Sequence, residues 1–400
     1  MPNPYRELFA TPGARGFCAA GLIARLALPM IGIGIITMLV QLGRGYGLAG
    51  AVAAAFMLAY AALSPFTSRQ VDRFGQRRVL PFAAGIGASG LVALVACAAW
   101  RAPAWTLFPC AALAGAMPSM GAMVRARWSA ALRERPALLA SAYSFETVVD
   151  EITYIAAPPL SVGLCVALAA PAGPLAAAAL LVGGVAALAA QRGSEPVPGA
   201  RDAAAHAAGS LLRLGDVRLL LMLMTAMGVI AGTVDIASVA FARQAGSPAS
   251  ASLVLSVYAT GSCLAGLAFG ALGLATPLPR LLGLGALATA AATLPLPFAT
   301  GVASLAAMVF AAGLFFAPTV IVAMSLIERA VPAARLTEGI TWLLAGLNTG
   351  VALGAALAGQ VVDRFGTRAG FGVALGAGGV ALLAALWNQR RTRDPLACNA

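Results

Sequence analysis

Ser68-Arg69-Gln70-Val71-Asp72-Arg73-Phe74-Gly75-Gln76-Arg77-Arg78 lies between two long apolar segments of a 400-residue chain. The stretch is short and dense: an acid, a glycine that lets the backbone turn sharply, and clustered arginines. Its surroundings have the composition of membrane, with 60% of residues hydrophobic and 10% charged. The charges gather in islands between apolar runs of about 20 residues, the length that crosses the hydrocarbon core of a bilayer. A soluble domain would scatter them.

The apolar runs predict twelve spans, near 16–41, 46–66, 79–99, 105–124, 138–169 and 173–191, then 218–240, 250–275, 280–299, 302–325, 338–361 and 369–388. The expected fold class is therefore an all-α polytopic membrane protein, with a six-helix bundle in 1–191, a linker in 192–217 and a second six-helix bundle in 218–400. The break around 191–217 is the longest polar stretch, carrying Gly193, Pro196, Pro198 and Gly199. Its apolar-basic piece at 211–214 has the composition to lie on a membrane surface. The first apolar run is long, contains Arg25 and leads into more membrane, so it is expected to be a retained helix and not a cleaved signal.

Arginine placement orients the spans. With both termini inside, the inner side receives Arg6, Arg15, the cluster from Arg69 to Arg78, Arg125, Arg127, Arg133, Arg135, the linker arginines, and those near 280, 329–335 and 390–393. The outer side receives only Arg44, Arg101, Arg243, Arg364 and Arg368. That imbalance predicts a multi-pass protein of the cell inner membrane or plasma membrane with cytoplasmic termini and linker. It also accounts for the net charge of +12 without nucleic acid, because the arginines flank spans and do not line a soluble face.

Several chemistries lack their residues. The chain has no lysine, which excludes a GK[ST] phosphate loop and a lysine Schiff base. Its single histidine, His206, lies in the linker, and Cys18, Cys97, Cys110, Cys165, Cys263 and Cys398 form no CxxC pair. No cofactor, no metal centre and no catalytic residues are expected, and the chain is expected to be no enzyme.

The loop at 68–78 resembles the signature loop of the major facilitator superfamily of secondary transporters, in the drug and metabolite efflux style found in bacteria. The resemblance implies two six-helix bundles that rock about a central cavity. It also implies a gating role for Asp72, Arg73, Gly75, Arg77 and Arg78, with Asp72 docking on the start of the eleventh span at Arg335-Leu336-Thr337-Glu338. A helix start presents unpaired N–H groups and partial positive charge to an aspartate, which makes the docking physically reasonable. Arg77 and Arg78 would meet acids or lipid phosphates. In the fifth span, Thr153-Tyr154-Ile155-Ala156-Ala157-Pro158-Pro159-Leu160-Ser161-Val162-Gly163 resembles the Gly-Pro motif of exporters, with Ala157 in place of the glycine.

A second DRFG core occurs in Gly359-Gln360-Val361-Val362-Asp363-Arg364-Phe365-Gly366-Thr367-Arg368. It falls in an outer loop between spans eleven and twelve, whereas a repeat offset by six spans belongs between eight and nine, where only a worn version without an acid stands at 266–280. It is expected to be a tight helix-to-helix turn, with Asp363 mattering less than Asp72.

Ionisable groups within spans are costly and mark the working part. Glu146, Asp150 and Tyr154 share one face of the fifth span at a spacing of four, and Glu151 points about 100° away from Asp150. Arg25 and Glu146 both lie about 12–14 Å from the inner ends of their spans, so Arg25 is the expected counter-charge of Glu146 or Asp150. Arg25, Glu146, Asp150 and Glu151 are the proton-coupling candidates, and Asp150 is the favoured proton site. Tyr154, Asp235, Trp342 and Asn348 are the substrate-cavity candidates. Gly346, Gly350 and Gly354 form a small-residue stripe suited to close helix contact.

The resemblance and these charges together imply a proton-coupled antiporter that exports a small hydrophobic or amphipathic compound by alternating access. The expected partners are that substrate, protons and membrane lipids, with no nucleic acid and with the protein acting as a monomer. The alternatives are an uptake symporter or facilitator of a small metabolite and, in a different class, a receptor-like membrane protein without flux.

Overall fold

The computed structural model describes residues 7–196, 211–271, 276–331 and 336–393. Regular structure among them is helical throughout: α1 Ala14–Arg25, α2 Ala27–Gln41, α3 Tyr46–Phe74, α4 Gln76–Ala99, α5 Leu107–Ala114, α6 Met120–Ala131, α7 Pro136–Ala167, α8 Ala172–Ala190, α9 Gly215–Gln244, α10 Ser250–Ala271, α11 Leu278–Thr293, α12 Val302–Ala330, α13 Leu336–Phe365, the single turn α14 Thr367–Gly370, and α15 Gly372–Arg393. Among the described residues eleven helices are long and apolar enough to cross a membrane. In lipid this is the economical solution, because a helix satisfies its own backbone.

The expected fourth span is the one that departs from a single helix. It is split into α5 and α6, with an irregular turn at 115–119. Pro118 has no N–H to continue the ladder and disfavours helical geometry at Met117, which ends the first piece. The helix of the first span is also interrupted at Leu26, between Arg25 and Ala27. Pro29 cannot donate to the Arg25 carbonyl four residues earlier, so the ladder is weakest where the arginine stands.

The chain divides into two compact units. Unit 1 holds Met1–Gly43 and Ala55–Asp202, and unit 2 holds Arg44–Ala54 and Ala203–Ala400. One helix is shared: α3 starts in unit 2 and passes into unit 1 at Ala55. The bundle boundary expected from the polar linker at 192–217 thus lies close to the division in sequence, but the opening turns of the second span group with the C-terminal half.

In unit 1, α8 packs on α1, α2 and α4, and α2 packs on α7. In unit 2, α9 packs on α13 and α15, α10 on α12, and α11 on α12 and α15. The closest seam is α9 against α13. A Cβ on Gly350 would stand 2.0 Å from the Thr225 carbonyl oxygen, and one on Gly228 would stand 2.0 Å from that of Leu347. The stripe of Gly346, Gly350 and Gly354 is thus met by Gly228 and Gly232 on α9, a reciprocal pair at the same spacing.

Leu211, expected on a membrane surface, is instead buried in the unit 2 core with Val217 and Leu220. Its apolar side chain stabilises more by packing under α9 than at a headgroup layer. His206 and the 200s of the linker lie outside the described residues.

Gly350→Val forces a branched side chain into the Thr225 carbonyl, and overpacking of this kind costs about 1–3 kcal/mol. Thermal unfolding of the detergent-purified variant should show a clear drop. Gly376 is the control, because beyond its own helix backbone no atom lies within 4 Å of the place its Cβ would take. Gly376→Ala should be neutral or stabilise by about 0.5–1 kcal/mol through helix propensity.

Candidate functional site

The polar centre of unit 1 forms where α1, α6 and α7 converge. Arg25, at the end of α1, is nearly fully buried and donates from an Nη2 hydrogen to Glu146 Oε2 on α7. Glu146 is 1% exposed, and its other oxygen accepts from Trp128 Nε1 on α6 at 2.7 Å. Cys18, one to two turns before Arg25 on α1, places its thiol 3.8 Å from the same oxygen. The Trp128 indole is fixed from the other side by Phe17, edge to face at 4.8 Å between centroids. One cation and two further donors, all from the protein itself, thus surround this carboxylate.

Asp150, one turn further along α7, joins the cluster differently. Its Oδ1 lies 3.1 Å from Arg25 Nη1, and its Oδ2 accepts from Arg125 Nη2 of α6 at 2.7 Å. The Arg25 contact is an ion pair without hydrogen-bond alignment, and Arg25 Nε has no acceptor among the described residues. The Asp150 side chain is 31% exposed, against 2% for Glu146. Two arginines and two carboxylates therefore balance in one cluster, with Glu146 sealed inside and Asp150 at its open edge. The cluster stands at one end of the apolar stretch of α7, which begins at Val148.

The sequence pattern anticipates Arg25, Glu146 and Asp150 as neighbours, and the structure brings these three together. It adds Arg125, Trp128 and Cys18, which no sequence pattern marks. Arg125 reads in the sequence as a topology signal, and nothing in its spacing to α7 reveals the pairing. The Glu151 side chain lies outside the described residues. Tyr154, one turn beyond Asp150 on α7, is 52% exposed.

A second buried arginine lies close by in sequence and has another character. Arg127 is 0% exposed; its Nε donates to Gln76 Oε1 at 2.8 Å, Nη1 to Ser194 Oγ at 2.7 Å and to the Gln191 carbonyl at 3.0 Å, and Nη2 to the Leu188 carbonyl at 3.0 Å. Those carbonyls lie at the C-terminal end of α8, where a cation is favoured. Glu195, in turn, accepts from the Arg77 backbone N–H at 2.9 Å at the start of α4. These contacts tie the signature loop to the end of α8.

Within that loop Gly75 takes φ 90°, Arg73 lies 5.0 Å over the Phe74 ring, and Arg77 and Arg78 are exposed. The Asp72 side chain, residues 332–335 and the side chains of Leu336, Thr337 and Glu338 lie outside the described residues, and with them the expected docking. The second DRFG copy forms the turn foreseen for it, with Gly366 at φ 86°. It is more than a turn, however: Asp363 accepts from the Tyr46 N–H at 2.9 Å and the Gly47 N–H at 2.6 Å. Spacing along the chain could not show this, since the partners are more than 300 residues apart.

In unit 2, Asp235 is partly buried on α9, within electrostatic reach of Tyr258 on α10. The Tyr258 hydroxyl is buried and has no hydrogen-bond partner among the described residues. Asn348 is partly buried on α13, which also carries Trp342.

The sequence model of the family described as Major Facilitator Superfamily matches residues 218–397. No curated protein matches the chain. Among solved structures the chain is similar to a nucleoside transporter, NupG, with 16% identity, a TM-score of 0.69, and 94% of this chain and 99% of that one covered. It is also similar to a POT family transporter in complex with a thioalcohol-conjugated peptide, with 11% identity, a TM-score of 0.74, and 95% and 96% covered. A peptide transporter POT in complex with sulfate matches at 14% identity and a TM-score of 0.72, with 98% of each chain covered.

Glu146→Ala leaves buried Arg25 with only its unaligned Asp150 contact and the Trp128 N–H without its acceptor, a change that costs about 3–5 kcal/mol. Arg25→Met combined with Glu146→Leu should recover most of that loss in thermal unfolding, because a well-packed apolar pair avoids the desolvation of two charges. A double variant no more stable than Glu146→Ala would show that the ion pair is not what the single change removes. The architecture common to the similar solved proteins, the major facilitator fold, is the fold of this chain.

Proposed function

We infer that this chain is a secondary active transporter of the major facilitator superfamily, working as a proton-coupled antiporter that exports a small hydrophobic or amphipathic compound. The fold, the family model over residues 218–397 and the loop at 68–78 support transport. The observation that carries proton coupling is the balanced cluster in unit 1, with Asp150 shared between Arg25 and Arg125 at its partly exposed edge. A proton added to Asp150 leaves two arginine cations facing one carboxylate. Arg25 keeps Glu146, and Arg125 loses its partner and is free to swing. The protonation state of one carboxyl is thereby tied to the arrangement of three helices, which is what alternating access requires of a coupling site.

Export is favoured by the small-residue and proline region of α7. Ser161 Oγ donates to the Met30 carbonyl at 2.8 Å, and α7 packs on α2 there. Uptake by symport or facilitated passage is the second reading, since the similar solved proteins are named as nucleoside and peptide transporters. The membrane orientation that goes with either reading has both termini and the linker in the cytoplasm, from the arginine distribution.

Flux of a compound panel in everted vesicles, with and without an imposed pH gradient, tests this function. Asp150→Asn should lose gradient-driven flux while keeping exchange of substrate for substrate. Gradient-driven flux that survives in Asp150→Asn, Glu146→Gln and Glu151→Gln alike would rule out coupling through α7. For the orientation, cysteines introduced at Ala200 and Pro395 should resist an impermeant thiol reagent applied from outside, and strong labelling of either would reverse it.

A further inference from the structure

The geometry points to a latch on the start of α3, in which Asp363 and Arg243 of unit 2 hold the Gly45-Tyr46-Gly47 segment and must release it for the outer face of the protein to open. The inference rests on the transport reading, but its first test does not.

Asp363 places one carboxylate oxygen on each of two successive backbone N–H groups, those of Tyr46 and Gly47. These are unpaired donors of a helix start, with partial positive charge behind them. A second side chain holds the same residue, because Arg243 at the end of α9 hydrogen-bonds the Tyr46 hydroxyl. The segment is also shaped for this approach. A Cβ on Gly45 would stand 2.8 Å from Asp363 Oδ2, and one on Gly47 would stand 3.0 Å from it. Gly50 and Gly359 continue the fit, their Cβ positions lying 2.2 Å from the Ala355 carbonyl oxygen and 2.4 Å from that of Tyr46. Gly50 and Gly359 meet backbone carbonyls, and Gly45 and Gly47 leave room for the Asp363 carboxylate.

Division of α3 gives the contact its consequence. Residues 46–54 belong to unit 2 and the remainder of the helix to unit 1, so the Asp363 bonds decide how firmly the opening turns of α3 are held within unit 2. The two Asp363 bonds are exposed to solvent. At such a site a charged contact shifts an equilibrium by a few-fold to about tenfold, enough to bias a state and not enough to trap it. Asp363 would thus do at the outer end of α3 what the family resemblance assigns to Asp72 at the inner end.

Ala49, fully buried in unit 2, reports release. In an Ala49→Cys protein, labelling by an impermeant maleimide from outside should speed up by about tenfold when Asp363→Ala is added, and by less with Asp363→Asn, which keeps one acceptor. Thr367→Ala, in the same turn, should leave the rate unchanged. Equal rates in the parent and Asp363→Ala would overturn the latch, whether or not the protein transports anything. As a second arm, Gly47→Cys with Gln360→Cys should form a disulfide on treatment with copper phenanthroline, since the Gly47 Cβ position lies 3.5 Å from the Gln360 Cα. The oxidised protein should lose flux and regain it in dithiothreitol, and full flux in the locked form would overturn the proposal. Faster labelling of Asp363→Ala in a protein with no flux under any gradient would leave the latch standing and remove the transport reading instead.

Discussion

A guanidinium in an apolar helix has to be neutralised where it stands, and the arrangement of unit 1 follows from the way Arg25 is neutralised. Leaving the charge alone would cost several kcal/mol even after relaxation. The response draws α7 to α1 through Glu146 and α6 to both through Trp128 and Arg125. The interruption at Leu26, with Pro29 unable to bond the Arg25 carbonyl four residues earlier, places Arg25 at the end of α1, where it faces both acids.

Arg127 shows the other way to bury a cation, and the comparison separates structure from function. Its partners are carbonyls, an amide and a hydroxyl, groups that do not titrate in the physiological range. Arg127 thereby links the end of α8 to Gln76 at the start of α4. The Arg25 cluster is neutralised by carboxylates, whose charge a proton can remove. Of these two buried arginines in one unit, Arg25 is the one paired directly with carboxylates.

The two DRFG segments make a related point about local and global control. Both end a helix at phenylalanine, turn through a glycine at positive φ and begin another helix at once. The backbone bonds agree as well: Gly75 N–H to the Val71 carbonyl at 2.8 Å, and Gly366 N–H to that of Val362 at 2.9 Å. Identical residues impose identical turns because only glycine accepts that conformation without strain. What each aspartate then meets is a property of the assembled helices.

The all-helical membrane-spanning fold and the acidic face of α7 were legible in the sequence, because each rests on hydropathy or on helical periodicity over a few turns. The pairing of Arg25 with Glu146 and Asp150 was legible too, from matched depth together with the neighbouring first and fifth spans that the family resemblance implies. The break between α5 and α6 was not foreseen, although Pro118 marks it. Arg125 and Trp128 as partners of the acids, the glycines of α9 facing those of α13, the packing of Leu211 in a core, and the docking of Asp363 on Tyr46 and Gly47 needed the tertiary structure. Local rules determine which helix a residue occupies and which face it shares. Contacts between residues as far apart in sequence as Tyr46 and Asp363 depend on how whole helices rotate and cross, and that is decided by packing summed over entire seams.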